Sequence, residues 1–175
     1  MPVGTKAGVK GVFPGALQVL GTEIVLANTY HLYLEPGEKI VEAAGGLGTF
    51  MNWEGSTMTD SGGYQVFSLG AGFGKGVSKF GDFVNPSSEE GFTKSQHGRL
   101  ASVDDEGVSF ASHIDGSPHR FTPERSVEIQ HALGADIFFA FDECTSPAAP
   151  YEYQRDAMER THRWAIRSLA AHSQC

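Results

Sequence analysis

A parallel α/β fold is predicted by three features of this sequence. Short apolar runs recur, helical segments separate them, and the connections are brief. The runs are EIVLAN (Glu23 to Asn28), STMTD (Ser56 to Asp60) and DIFFAFDE (Asp136 to Glu143). The first is too continuously apolar to alternate, as a strand buried on both faces would be. About four strands of this kind are readable, whereas an eight-stranded α/β barrel needs roughly 250 residues. A chain of 175 residues therefore fits half of such a barrel, a partial (β/α)8 TIM barrel, or else a small open sheet.

The helices are read from their punctuation. PGALQVLG (Pro14 to Gly21) opens on proline and closes on glycine, a short helix. PGEKIVEAAGG (Pro36 to Gly46) is expected to turn Ile40, Val41 and Ala44 inward and to stop at its glycines. In TPERSVEIQHALG, Thr122 is an N-cap, Pro123 holds the first helical position and Gly134 ends the helix. After Pro150, Tyr153, Ala157, Thr161, Ala165 and Leu169 recur at i, i+4 steps, with Glu159 placed to support Arg163.

Two segments break the rhythm. GVSFASHIDGSPHRFT (Gly107 to Thr122) reads as an inserted β-hairpin turning at Asp115-Gly116. Residues 69–107 are polar, Gly-rich and nearly patternless, a long loop of the kind that serves as a functional lid or an insertion. Its Lys75, Lys79, Lys94 and Arg99 lie scattered among acids, a solvated surface first and a backbone-phosphate contact second.

Composition narrows the function classes. The formal charge of -8 is the wrong sign for holding nucleic acid by bulk charge, though local basic patches remain compatible with it. Two cysteines, Cys144 and Cys175, without CxxC spacing fit a reducing compartment. No apolar run approaches the roughly 20 residues of a membrane span. The N-terminus lacks the hydrophobic core of a signal peptide, so a soluble cytoplasmic protein is expected.

Three of the strands end in polar side chains: Asn28, Asp60 and Asp142. In parallel α/β folds the strand C-termini share one edge, so these three residues should converge there. Asp60 opens TDSGGYQ, and a plain reading makes it the cap of the turn that follows, with Gly62 and Gly63 supplying positive φ. Convergence with Asp142 favours a site instead, since paired carboxylates at a strand-end cleft suit acid–base work at a glycosidic bond. On that reading the glycines let a flat ligand approach while Tyr64 stacks on it.

Asp142 and Glu143 point to opposite sides of a strand end, one into the cleft and the other toward a helix or solvent. Asp142 is taken as the cleft residue. Cys144 reads first as a small buried hydrophobe and second as a reactive thiol. His31, between Tyr30 and Tyr33, reads as a packed or hydrogen-bonded histidine. His97, His119, His162 and His172 show no ligand spacing and receive no role.

With these residues in place, the sequence closely resembles the tRNA-guanine transglycosylases, also called queuine tRNA-ribosyltransferases. The resemblance is carried by MPVGT, LANTYHLYLEPGE, AGGLGTFMNW, TDSGGYQVFSL, GVSFASHIDGS, TPERSVEIQHALGADI, FAFDECT and RTHRWAIRS. It implies a catalytic barrel and exchange of guanine at the tRNA wobble position for a 7-deazaguanine by double displacement, as in queuosine biosynthesis. It implies Asp60 as general acid–base, Ser61 beside it in the pocket, Tyr64 stacked on the base and Asp142 reading the ring N–H and exocyclic amine. Cys144 becomes a pocket wall that favours the bacterial substrate, 7-aminomethyl-7-deazaguanine, over queuine.

The implied partners are a tRNA with a GUN anticodon and, at full length, a second copy in a homodimer. The nucleophilic aspartate, the other base contacts and a zinc site of three Cys and one His are expected on residues beyond 175, with no cofactor bound by this chain. Residues 1–175 thus read as the N-terminal part of the barrel, inactive alone, with 70–107 as a loop longer than the family suggests. Two alternatives are a non-catalytic tRNA-binding or partner subunit of the same family and a hydrolase using the same carboxylates.

Overall fold

In the computed structural model, which describes residues 1–72 and 101–174, parallel strands lead into helices. Helix α1 (Pro14–Val19) starts on its proline, where the missing N–H has no partner to lose, and β1 (Ile24–Ala27) follows. Next come α2 (Thr29–Leu34), α3 (Glu38–Ala43) and α4 (Leu47–Met51). Strand β2 (Ser56–Thr59) runs into α5 (Gly63–Gly72). Beyond it lie β3 (Ala101–Val103), β4 (Val108–Ala111) and β5 (Pro118–Phe121), then α6 (Pro123–Leu133), β6 (Ile137–Phe138) and α7 (Tyr151–His172).

Two three-stranded sheets organise these elements. In the first, β2 lies between β1 and β6 with all strands parallel, in registers Ala27↔Thr59 and Thr59↔Phe138. Strand-order neighbours far apart in sequence require helical crossovers, and α6 supplies the return to β6. The second sheet is the antiparallel meander β3-β4-β5, whose β4 and β5 are the expected hairpin, with Gly116 at φ 76° in its turn. The core between sheet and helices is built from Val25, Ala27, Leu47, Ile129, Leu133, Phe141 and Trp164, all but buried from solvent.

Helix α6 is punctuated as expected. The Thr122 hydroxyl accepts from the Arg125 N–H at 3.2 Å, and Gly134 closes the helix at φ 67°. The meander is fixed to α7 by its acidic turn. Asp105 meets Arg160 and Arg163 at 3.1 and 3.0 Å, and its carbonyl accepts from the Trp164 indole at 2.8 Å. The exposed ion pairs contribute little on their own; the buried Trp164 ring, stacked on Phe141 at 5.1 Å, anchors the contact.

Several expectations need correction. Among the described residues the parallel sheet has three strands, and β6 covers only Ile137–Phe138 rather than Asp136 to Glu143. Side chains replace the ladder on both flanks of β6: the Asp136 carboxylate accepts from the Thr57 N–H at 2.7 Å, while Phe141 and Glu143 donate their N–H groups to Ser168 and Thr161 of α7. β1 is buried on one face and half-buried on the other, not on both. In α3, Val41 is buried with Glu38, which pairs with Arg125, while Ile40 and Ala44 face out.

On α7 the buried residues are Ala157, Trp164 and Ser168, and Leu169 is 66% exposed. Strict i+4 steps drift roughly 40° around a helix each time, so five such residues leave the core face before the series ends. Arg163 reaches Asp105 in place of Glu159. The stretch read as a patternless loop contains the end of α5 and all of β3; its residues 73–100, with His97 and the four basic side chains, lie outside the described part.

Candidate active site

Strands β2 and β6 are adjacent and parallel, so the residues that follow them, Asp60 and Asp142, emerge at one edge of the sheet. Asn28 follows β1 to the same edge and donates its side-chain amide to Asp60 Oδ2 at 2.6 Å. The expected convergence is therefore a set of contacts. Asp60 also accepts from the Thr29 N–H (3.0 Å), the Gly62 N–H (3.2 Å) and the Gln65 amide (2.8 Å). The carbonyl of Asp60 accepts from the Thr29 hydroxyl at 2.5 Å.

Both readings of Asp60 are physically realised. Its bond to Gly62 N–H is the turn cap, and its bond to Thr29 N–H satisfies a first-turn donor of α2, which Asn28, at the N-cap position, leaves open. The same carboxylate sits half-buried at the sheet edge beside Ser61, whose hydroxyl donates to Asp142 Oδ1 at 2.6 Å. Ser61 is thus the covalent neighbour of one aspartate and the hydrogen-bond partner of the other.

The glycines are crowded by neighbouring protein atoms. Gly62 does hold a positive φ of 82°, but a Cβ there would meet the Phe121 ring at 3.0 Å. A Cβ on Gly63 would sit 2.5 Å from the Asp142 carbonyl and 3.0 Å from its carboxylate. Their bareness admits Phe121 and the Asp142 segment. What faces solvent is Tyr64, 57% exposed on the first turn of α5.

Glu143 turns toward α7 while Asp142 turns toward Ser61. Its side chain is 3% exposed, accepts from the Tyr153 hydroxyl at 2.5 Å and pairs with Arg160 of α7. Cys144 is half-buried, and burial, followed by the charge of Asp142, pushes its thiol above the usual range. Its thiol is thus no ready thiolate.

Histidines near the site are packed. His31 meets Tyr30 edge-on at 5.3 Å, and burial first, then His113, holds it below the usual imidazole range. His119, given no role from sequence, bonds the Tyr33 hydroxyl at 2.8 Å. Thr29 and Gln65 are the site residues that sequence reasoning passed over, although both stand inside the motifs around Asn28 and Asp60. Among the described residues no three His, Cys, Asp or Glu side chains gather as a metal site, and no helix is long and apolar enough to cross a membrane.

Aspartates that follow neighbouring parallel strands, bridged by a serine and with an exposed tyrosine on the next helix, define a mixed α/β protein with a polar cluster at its strand ends. Comparison with known proteins makes this specific. A family model described as queuine tRNA-ribosyltransferase matches residues 1–80 and 71–174. The queuine tRNA-ribosyltransferase of Thermoanaerobacter sp. (strain X514) is 48% identical over 172 residues, covering 98% of this chain and 38% of that protein. That of Desulforamulus reducens is also 48% identical, over 98% of this chain and 39% of its own. A putative queuine tRNA-ribosyltransferase of Archaeoglobus fulgidus is 47% identical, over 97% and 43%. The chain belongs to the queuine tRNA-ribosyltransferase family and spans about two fifths of the length of these relatives.

Proposed function

We propose that this chain carries the base-reading and proton-handling part of a tRNA-guanine transglycosylase, on the first strands of a (β/α)8 barrel. The observation that carries this reading is the placement of Asp60 and Asp142 at the ends of adjacent parallel strands, joined through Ser61. The parallel pairing of β1, β2 and β6 supports that reading, since such a barrel is built from parallel strands linked through helices.

On this reading Asp142 accepts the ring N–H and the exocyclic amine of a guanine-like base. A carboxylate has two oxygens in one plane and is matched to two parallel donors. The Ser61 hydroxyl, already on Oδ1, fixes which way that plane faces. Tyr64 covers the base, Cys144 lines the wall, and Glu143, tied to Arg160, keeps the segment from turning over.

Asp60 gives a proton to the departing guanine as its bond to the ribose breaks, and takes one from the incoming 7-aminomethyl-7-deazaguanine as the new bond forms. To do so one of its side-chain bonds, from Asn28 or Gln65, must be released. Attack on the sugar carbon is left to the nucleophilic aspartate that the family resemblance implies on residues beyond 175. The family's zinc finds no ligand cluster among the described residues, and no step here passes through it.

The test is incorporation of labelled guanine into tRNA with a GUN anticodon. The complete gene product containing this segment is expected to exchange the base, and these 175 residues alone to show none. Exchange by the segment alone removes the need for a third carboxylate. Cleavage of tRNA glycosidic bonds without exchange would instead favour a hydrolase.

A further inference from the structure

The segment bearing Asp142 leaves the parallel sheet early, because the β2–β6 ladder ends at Thr59↔Phe138. The next peptide is nevertheless paired. Gln130, fully buried on α6, accepts from the Phe139 N–H at 3.3 Å and donates to the Phe139 carbonyl at 3.0 Å. Its oxygen also accepts from the Thr59 hydroxyl at 2.9 Å, and its nitrogen also donates to the Ser126 hydroxyl at 3.2 Å.

A primary amide has two donors and two lone pairs, so Gln130 is saturated. Its orientation is fixed by Phe139, whose N–H requires the amide oxygen and whose carbonyl requires the amide nitrogen. The side chain stands in for the peptide of a neighbouring strand. One turn earlier on α6, the buried Ser126 hydroxyl donates to the Ser61 carbonyl at 2.8 Å. Ser61 in turn holds Asp142, which closes a ring of bonds through Ser126, Gln130 and Phe139.

We infer that Gln130 and Ser126 are positioning residues that set the separation and facing of Asp60 and Asp142, and with them the cleft's selectivity for a base bearing an exocyclic amine. The inference rests on the base-reading role proposed above. A buried amide that served only to fill its pocket would not need to bond the residue before Asp60 and the approach to Asp142 at once. Thr59 and Phe139 are those two positions, and one side chain holds both. Buried hydrogen-bond networks of this kind specify geometry because each unpaired member is costly.

The test uses the complete gene product containing this segment, with Gln130→Met and Ser126→Ala checked first for an unchanged cooperative melt. Binding of guanine is compared with hypoxanthine, which lacks the exocyclic amine. Gln130→Met is expected to weaken guanine about tenfold or more, the scale of a hydrogen bond to a charged group, and hypoxanthine by about twofold or less. In an Asp142→Ala background the same change should add little, because the two act through one contact. A folded Gln130→Met protein with an unaltered guanine-to-hypoxanthine ratio, or losses that add to those of Asp142→Ala, overturns the inference. If Gln130→Met does not fold, Ser126→Ala decides: a reduced ratio supports positioning and an unaltered one overturns it. Guanine affinity unmoved by Asp142→Ala overturns the base-reading role itself, and this inference with it.

Discussion

Asp60→Asn is expected to abolish base exchange in the complete gene product, lowering the rate by about 10²–10⁴, the range that a positioned acid–base group supplies. The substitution keeps the shape of the side chain and removes its ability to cycle a proton. It also places an amide nitrogen among donors, because Asn28, Thr29, Gly62 and Gln65 all donate to this carboxylate. The local remedy is available. Gln65 Oε1 is buried and has no partner among the described residues, so a flipped Gln65 can accept from the new nitrogen. The fold should therefore survive, and single-turnover exchange together with a thermal melt separates lost chemistry from lost structure. An Asp60→Asn protein with normal turnover removes Asp60 from the mechanism.

Asp142→Ala should act on binding rather than on the chemical step. Two charge-assisted hydrogen bonds to the base are lost, each worth about 1.5–3 kcal/mol, so the KM for the incoming base should rise by about 10²–10³ or more. The kcat at saturating base should fall less, because the proton is handled at Asp60. Preference for guanine over hypoxanthine should largely disappear with it, since the amine loses its acceptor. The same substitution leaves the buried Ser61 hydroxyl accepting from the Gly63 N–H at 3.2 Å but without its own acceptor, so a loss of stability of about 1–3 kcal/mol is expected beside the loss of binding. Unchanged KM with a collapsed kcat would exchange the roles assigned to the two aspartates.

Much of this site is legible in the sequence because it lies in short motifs at strand ends. Asn28, Asp60 and Asp142 each close a short strand-like run, and parallel pairing brings such residues to one edge. The helix punctuation at Thr122, Pro123 and Gly134 is equally local and holds to the residue. The glycines of TDSGG are legible as special but not as to purpose. Nothing in the sequence says that the space above Gly63 belongs to Asp142, 79 positions along the chain from it.

The same limit hides the early end of β6, which depends on side chains of α6 and α7 taking the ladder's hydrogen bonds. It also hides Gln130 and Ser126, which read as ordinary polar residues on a helix until their partners are seen. On α7 the error is of period. A series at i+4 was followed where the core face takes Ala157, Trp164 and Ser168, a mixture of sevens and fours.

The central claim is that the edge formed by β2 and β6 reads a guanine-like base. A crystal structure of the complete gene product with 7-aminomethyl-7-deazaguanine tests it directly. The ring N–H and exocyclic amine are expected within hydrogen-bond distance of the two Asp142 oxygens, about 2.7–3.2 Å, with Tyr64 over the ring face. A base bound elsewhere, with Asp142 still held only by Ser61, would contradict it.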